Sequence, residues 1–250
     1  LGGGIIASEY ASVFAALGVQ VTLIDRAPRP LQFFDEELVR VFTQCFELEG
    51  GRYYGGQTIQ DVRWDGISQA VTTLQDGQVF ASDKMLVALG RQPNLEDLNL
   101  SATGLTLTEK GALAVNEHCQ TVVPHIYGVG DLIGPPGLAS SAMEQGRRAV
   151  CHALGLSEGP SGGLIPVGIY TIPEMSSIGM DEAAARTRYR GIIAGRARFD
   201  EIARGQISGI SHGLLKMIAD PTGEHLLGVQ IVGEGATELI HMGQMALQHA

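Results

Sequence analysis

At 250 residues the chain has room for two ordinary domains or pieces of three, and 44% hydrophobic against 18% charged residues excludes a disordered chain. A net charge of −10 without any Lys/Arg run argues against nucleic acid or an anionic membrane surface as partner, and no apolar stretch approaches a membrane span. The 34 glycines suit an α/β protein with many tight turns.

The chain opens LGGGIIASEYASVFAALGVQVTLID, with no initiator Met and only Leu1 ahead of the glycines. A glycine turn of this kind normally follows a buried strand, so the opening reads as a cut inside a longer protein. Ile6, Tyr10, Val13, Phe14 and Leu17 recur at helical spacing and Gly18 stops that helix. VQVTLID (19–25) reads as a short buried strand. After the APRP loop, an amphipathic helix is predicted over 35–48, with acids in its first turn. Residues 58–80 alternate polar and apolar around Asp65-Gly66 and Asp76-Gly77, the pattern of antiparallel strands joined by tight turns. KMLVALG (84–90) and HIYGVGD (125–131) read as apolar strands, and a helix is predicted from about 138. GPSGG (159–163) is the best linker. Beyond it IPVGIYTIPE, RGIIAGRARF, GLLKMIAD and HLLGVQIVG read as strands, and a helix is predicted over 234–248.

Gly2-Gly3-Gly4-Ile5-Ile6-Ala7 matches G-x-G-x-x-A at the head of a helix. Gly2 would permit the turn, Gly4 would let a pyrophosphate approach the backbone, and Ala7 would let the helix lie close to a sheet. The next strand ends in an acid, Asp25, 21 positions beyond Gly4, close to the spacing of about 20 at which a dinucleotide fold holds a ribose hydroxyl. Asp25 favours the free 2′-hydroxyl of NAD, whereas Arg26 and Arg29 suit the 2′-phosphate of NADP; solvated loop arginines explain the pair equally well. Asp131, after Gly130, is read as a strand-end carboxylate facing sugar hydroxyls, and the helix start at Leu138 as a positive dipole end. Cys45, Cys119 and Cys151 form no CxxC pair, which suggests plain half-buried thiols in a reducing, cytoplasmic setting. The seven His show no metal-ligand spacing, so no metal site is expected.

GGGIIASEYA with its acid Glu9, LVALGRQPN (86–94) and YGVGD, in this order, resemble the flavin-dependent pyridine nucleotide-disulfide oxidoreductase family. GIYTIPEMSSIG (168–179), RARFDEIARGQISG (196–209) and GEGATELIHMGQMAL (233–247) are similar to members that pass hydride between NADPH and NAD through FAD. The resemblance implies an α/β chain in three parts. These are a Rossmann-like NAD(P)-binding domain with a β-meander (1–89, first strand truncated), the remnant of an FAD-binding domain (90–160), and part of an α+β dimerisation domain (161–250). It places Gly2, Gly3, Gly4, Ile5, Ile6 and Ala7 around the nicotinamide cofactor, Asp25 and Arg26 at its adenosine ribose, and Glu9 at the flavin–nicotinamide junction. Gly90 would lie on a cofactor-facing strand end, Gly130 and Asp131 at the ribityl chain, and Leu138 and Ala139 beside the isoalloxazine ring. FAD and NAD(P) are the implied cofactors and a homodimer the implied assembly. Neither a catalytic residue nor a metal is implied for this segment, which alone is expected to be inactive. Two other readings stand beside this one: a dihydrolipoyl dehydrogenase or related disulfide reductase, and a non-catalytic binding and dimerisation module.

Overall fold

In the computed structural model, which describes residues 1–159 and 164–249, the glycine turn leads directly into helix α1 (Ile5–Ala16). Strand β1 (Thr22–Ile24), helix α2 (Glu36–Leu48) and strand β2 (Arg52–Tyr54) follow, with β1 and β2 parallel and Leu23 opposite Tyr53. Asp35 caps α2 by accepting the Glu37 N–H at 2.9 Å. A three-stranded antiparallel ribbon comes next, β3 (Ile59–Trp64), β4 (Ala70–Leu74) and β5 (Val79–Ser82). Its first turn is closed by the Asp65 carboxylate, which accepts the N–H groups of Ile67, Ser68 and Gln69. The predicted meander is therefore present.

The buried face of α1 differs from the one its apolar spacing suggested. Ala7, Ser8, Ala11, Ser12 and Ala15 face the core, while Tyr10 is 52% and Leu17 74% exposed. Small side chains let a helix lie close to its neighbours, so the close-packed face is the small one and not the most apolar one. The predicted strand 84–90 is absent as a ladder. Among the described residues its ladder partner is Leu1, through Leu1 N–H to Leu86 O and Ala88 N–H to Leu1 O at 2.9 Å, and one residue cannot build a strand pair.

Residues Arg91–Ile165 form a separate compact unit. HIYGVGD is not a strand there: it makes one bridge, Gln120 to Tyr127, and ends in a 3₁₀ turn at Gly130–Ile133. The isolated pairing leaves most of its apolar run without a partner strand. Helix α3 (Ala139–Ala153) begins one residue after the predicted position, with Leu138 as its N-cap. Of the expected GPSGG linker, residues 160–163 lie outside the described residues.

The last segment builds one antiparallel sheet in the order β6-β7-β10-β9-β8. Its strands are β6 (Val167–Ile169), β7 (Met175–Gly179), β8 (Ile193–Arg198), β9 (Leu214–Ala219) and β10 (Leu226–Val232), with helices α4 (Glu182–Arg188), α5 (Ala203–Ile207) and α6 (Ala236–His249). Strands β2 and β7 and helices α4 and α5 were not anticipated; all are seven residues or shorter, too brief to show a periodicity. The Glu174 carboxylate accepts the N–H and hydroxyl of Thr237, holding the start of α6. Leu1–Gly90 and Pro166–Ala250 form one unit because they share a core. Phe34, Leu38, Phe42 and Phe46 pack with Ile169, Met175, Leu214 and Val232, each such burial contributing roughly 1.5–3 kcal/mol.

Candidate functional site

Each glycine of the opening turn has its own physical requirement. Gly2 has φ +108°, and a side chain there would run into the Ala88 carbonyl. A Cβ on Gly3 would meet Asp25 Oδ2 and, at 3.1 Å, the Tyr53 hydroxyl. Gly4 has φ −81° and nothing within 4 Å of a built Cβ, so the fold does not need glycine there. Open space above a bare N-cap is what an approaching phosphate requires. Helix α1 has no side-chain cap and no acid in its first turn, leaving its first N–H groups and positive dipole end uncompensated. Ala7 is buried, Ile5 half-buried and Ile6 38% exposed. The Ser8 hydroxyl, fully buried beside this turn, has no partner among the described residues.

Strand β1 delivers Asp25 to the back of the same turn, where Oδ1 accepts the Arg26 N–H at 2.8 Å. Tyr53 from β2 stands beside it and donates to the Ala27 carbonyl at 2.9 Å. Burial, and then the Asp25 charge, raise the Tyr53 pKa well above the phenol range. Arg26 is exposed, whereas Arg29 turns onto the carbonyls of Leu31 and Gln32. Of the two arginines, only Arg26 is therefore presented to a ligand. Glu9 accepts the Tyr170 N–H at 2.8 Å, and Ser12 accepts that of Ile172 at 3.0 Å, so α1 is tied to the loop after β6. Gly2, Gly3, Gly4, Ala7 and Asp25 thus converge on one turn; Tyr53 was missed by sequence reasoning, and only the three-residue strand that carries it betrays it.

In the second unit, Arg91, Lys110, Asp131, Ile133 and the 134–137 loop line a cleft of about 650 Å³. Gly130, at φ +75°, donates its N–H to Gln145 Oε1 at 2.7 Å. Asp131 is ion-paired with Arg91 at the surface. Helix α3 begins without a side-chain cap, and Ser141 in its first turn carries a buried hydroxyl with no partner among the described residues. An unsatisfied hydroxyl and free N–H groups suit an anionic polar ring edge. Gly90, at φ +123°, is exposed at the end of the first unit's 84–90 segment.

The fold also gathers histidines that their sequence spacing kept apart. His118 and His152 stack with ring centroids 4.2 Å apart, and Glu158 Oε1 lies 2.6 Å from His118 Nδ1. The Tyr127 hydroxyl engages His152 Nδ1 at 2.8 Å and Arg148 engages Glu158. His118, His152 and Glu158 bring potential ligand atoms within 4.8 Å of one another, a grouping that the histidine spacing in the sequence did not announce.

The sequence pattern described as pyridine nucleotide-disulphide oxidoreductase matches residues 1–146, and the dimerisation-domain pattern of the same family matches residues 165–250. The chain belongs to the pyridine nucleotide-disulphide oxidoreductase family. Among relatives of this family, soluble pyridine nucleotide transhydrogenase from Mycobacterium tuberculosis is 39% identical over 247 residues, covering 99% of this chain and 53% of the relative. The enzyme of that name from Aliivibrio fischeri is 40% identical over 253 residues, covering 99% and 52%. The chain thus spans about half the length of the curated relatives it matches. A crystal structure of LpdA from Mycobacterium tuberculosis superposes with a TM-score of 0.91 at 27% identity, covering 99% of this chain and 54% of that one. The flavoprotein disulfide reductase RclA from Escherichia coli shares the fold, with a TM-score of 0.89 at 24% identity over 99% of this chain and 57% of that one. No helix among the described residues is long and apolar enough to cross a membrane.

Proposed function

We propose that this chain is the nicotinamide-binding and dimerisation part of an enzyme that moves hydride from NADPH to NAD by way of FAD. The observation that carries this reading is the glycine turn: an uncapped α1 N-terminus, open space above Gly4 and Asp25 behind Gly3. The choice of reaction is supported by 39–40% identity to transhydrogenases along almost the whole chain. FAD, when bound, supplies the two-electron carrier that takes hydride from one nicotinamide and gives it to the other. The residues of this chain bind and orient. The N–H groups of Ile5 and Ile6 receive the pyrophosphate, Asp25 takes the adenosine ribose, and Arg26 meets a 2′-phosphate where one is present. Glu9, held on the Tyr170 N–H, borders the nicotinamide side, and Gly90 bounds the same site. Gly130, Asp131, Leu138 and Ala139 would hold the flavin, with the Asp131 carboxylate, now paired with Arg91, facing its ribityl chain. Hydride transfer of this kind requires no acid, base or nucleophile from these residues.

The domain reading is 1–89 for NAD(P), 90–160 for flavin and 161–250 for dimerisation, in a homodimer. The exposed Leu239, Met242 and Met245 on α6 supply an apolar face for the second copy. Three free cysteines fit a reducing cytoplasm. The test is a comparison of acceptors, using the longer flavoprotein that contains this chain. NADPH is expected to reduce thio-NAD and to leave lipoamide untouched. Lipoamide reduction without thio-NAD reduction replaces this reading with a disulfide reductase. The 250 residues alone are expected to show no turnover and only weak nicotinamide binding.

A further inference from the structure

Lys216 lies on β9, in the sheet of the dimerisation segment, yet its buried ammonium ends among acids of other elements. It bonds Asp35 Oδ1 and Oδ2 at 2.9 and 2.8 Å, Glu182 Oε2 at 2.7 Å and Glu37 Oε2 at 3.1 Å. Asp35 is buried as well, and it is the residue that caps α2. Around the rim, Arg196 bonds both oxygens of Glu37 at 2.8 Å and Glu182 Oε2 at 2.9 Å. Burial by itself lowers the Lys216 pKa, but the bonds from Asp35 and Glu182 outweigh it and leave the pKa above its ordinary value. A buried ion cluster of this kind is a weak source of net stability, and its attested role is to select one arrangement over others.

The arrangement it selects includes the 26–34 loop. Asp25 stands at the near end of that loop and Asp35 at the far end. Between them the loop is tied to the glycine turn by Leu31 N–H on Gly3 O at 2.8 Å, and to β2 by Tyr53 on Ala27 O. Leu31 sits at φ +48°, a conformation a leucine holds only when its surroundings fix it. The exposed Arg26 rides on this loop beside Asp25. We propose that Lys216 is a positioning residue for the nicotinamide dinucleotide: by clamping Asp35 it sets the loop that carries Arg26, so the dimerisation segment tunes the nucleotide site. This rests on the assignment of Gly2–Gly4 and Asp25 to a dinucleotide.

The test measures Kd for NADH and NADPH on the longer flavoprotein that contains this chain, with circular dichroism to confirm folding. Asp35→Asn keeps the α2 cap, since Asn caps as well as Asp, but gives up the charge that Lys216 holds. A loosened loop is expected to weaken NADPH binding about ten-fold and NADH binding less, within the scale on which small misplacements act. Lys216→Arg, which keeps a cation, is expected to stay within about three-fold of the unaltered chain. Arg196→Met, which removes only the rim, is expected to leave Kd unchanged. Folded Asp35→Asn with unaltered Kd overturns the proposal, as does equal weakening by Arg196→Met. If Asp35→Asn does not fold, Lys216→Gln takes its place with the same two outcomes. Failure of the unaltered flavoprotein to bind either dinucleotide overturns the site assignment itself, a result distinguishable from normal binding that is indifferent to Asp35.

Discussion

The two neighbouring glycines Gly3 and Gly4 answer to different constraints, and mutation separates them. At Gly3 the crowding is internal, since an added methyl meets Asp25 and Tyr53. Gly3→Ala is expected to cost about 1–3 kcal/mol of stability in chemical denaturation, the usual penalty for overpacking. At Gly4 the fold has open space and φ is ordinary. Gly4→Ala is therefore expected to shift stability by less than about 1 kcal/mol while weakening NADH binding at least about ten-fold, because the methyl stands where the pyrophosphate approaches. Unchanged binding in Gly4→Ala would remove the phosphate from that turn. Arg26→Ala is expected to raise Kd for NADPH more than for NADH; equal effects would make Arg26 a solvated loop charge. Arg29 is the arginine that fits the solvated-loop reading, since its guanidinium is spent on the carbonyls of its own loop.

At the level of elements, α4 and α2 meet through the acids around Lys216, and that junction carries a pH signature. The Lys216 bond first, and then the Arg186 bond and the charges of both, lower the Glu182 pKa from an ordinary 4.5 to about 2, against the opposing effect of burial. A depressed carboxylate stabilises the fold fully above its unfolded pKa and loses that contribution as pH falls through the folded one. Stability is expected to decline from about pH 4.5 toward 2, by on the order of 3 kcal/mol from this group. Glu182→Gln should flatten that acid limb in denaturation measured across pH; an unchanged limb would locate the acid sensitivity elsewhere. The long periodic elements α2 and α6 and the turn-marked ribbon β3–β5 were legible in the sequence, because turn chemistry and amphipathicity act locally. Strand β2 was not, since three residues gain their strand character only from pairing with β1. The α1 stripe misled for a related reason: spacing shows which residues share a face, but close packing chose the alanine face. HIYGVGD misled because an apolar run is a strand only where another strand pairs with it.

For the whole molecule, the grouping of Leu1–Gly90 with Pro166–Ala250 is the feature least visible in the sequence. It follows from a core shared by Phe42 and Phe46 of α2 with Ile169 and Met175 from more than a hundred positions away, a contact no local pattern announces. Phe42→Ala is expected to cost about 3–5 kcal/mol and to unfold both segments in one transition. Two separate calorimetric transitions would show independent cores. Assembly belongs to this scale as well. Under the proposed homodimer, Met242→Glu with Met245→Glu on α6 is expected to give a monomer in sedimentation, and persistence of a dimer would move the interface off α6. The central claim, that the opening glycine turn receives a nicotinamide dinucleotide, is met most directly by titrating NADH into the isotopically labelled chain and following its backbone amide resonances. The largest shifts are expected at Gly4, Ile5, Ile6, Asp25 and Arg26. Shifts confined to other residues, or none at saturating NADH, would contradict the claim.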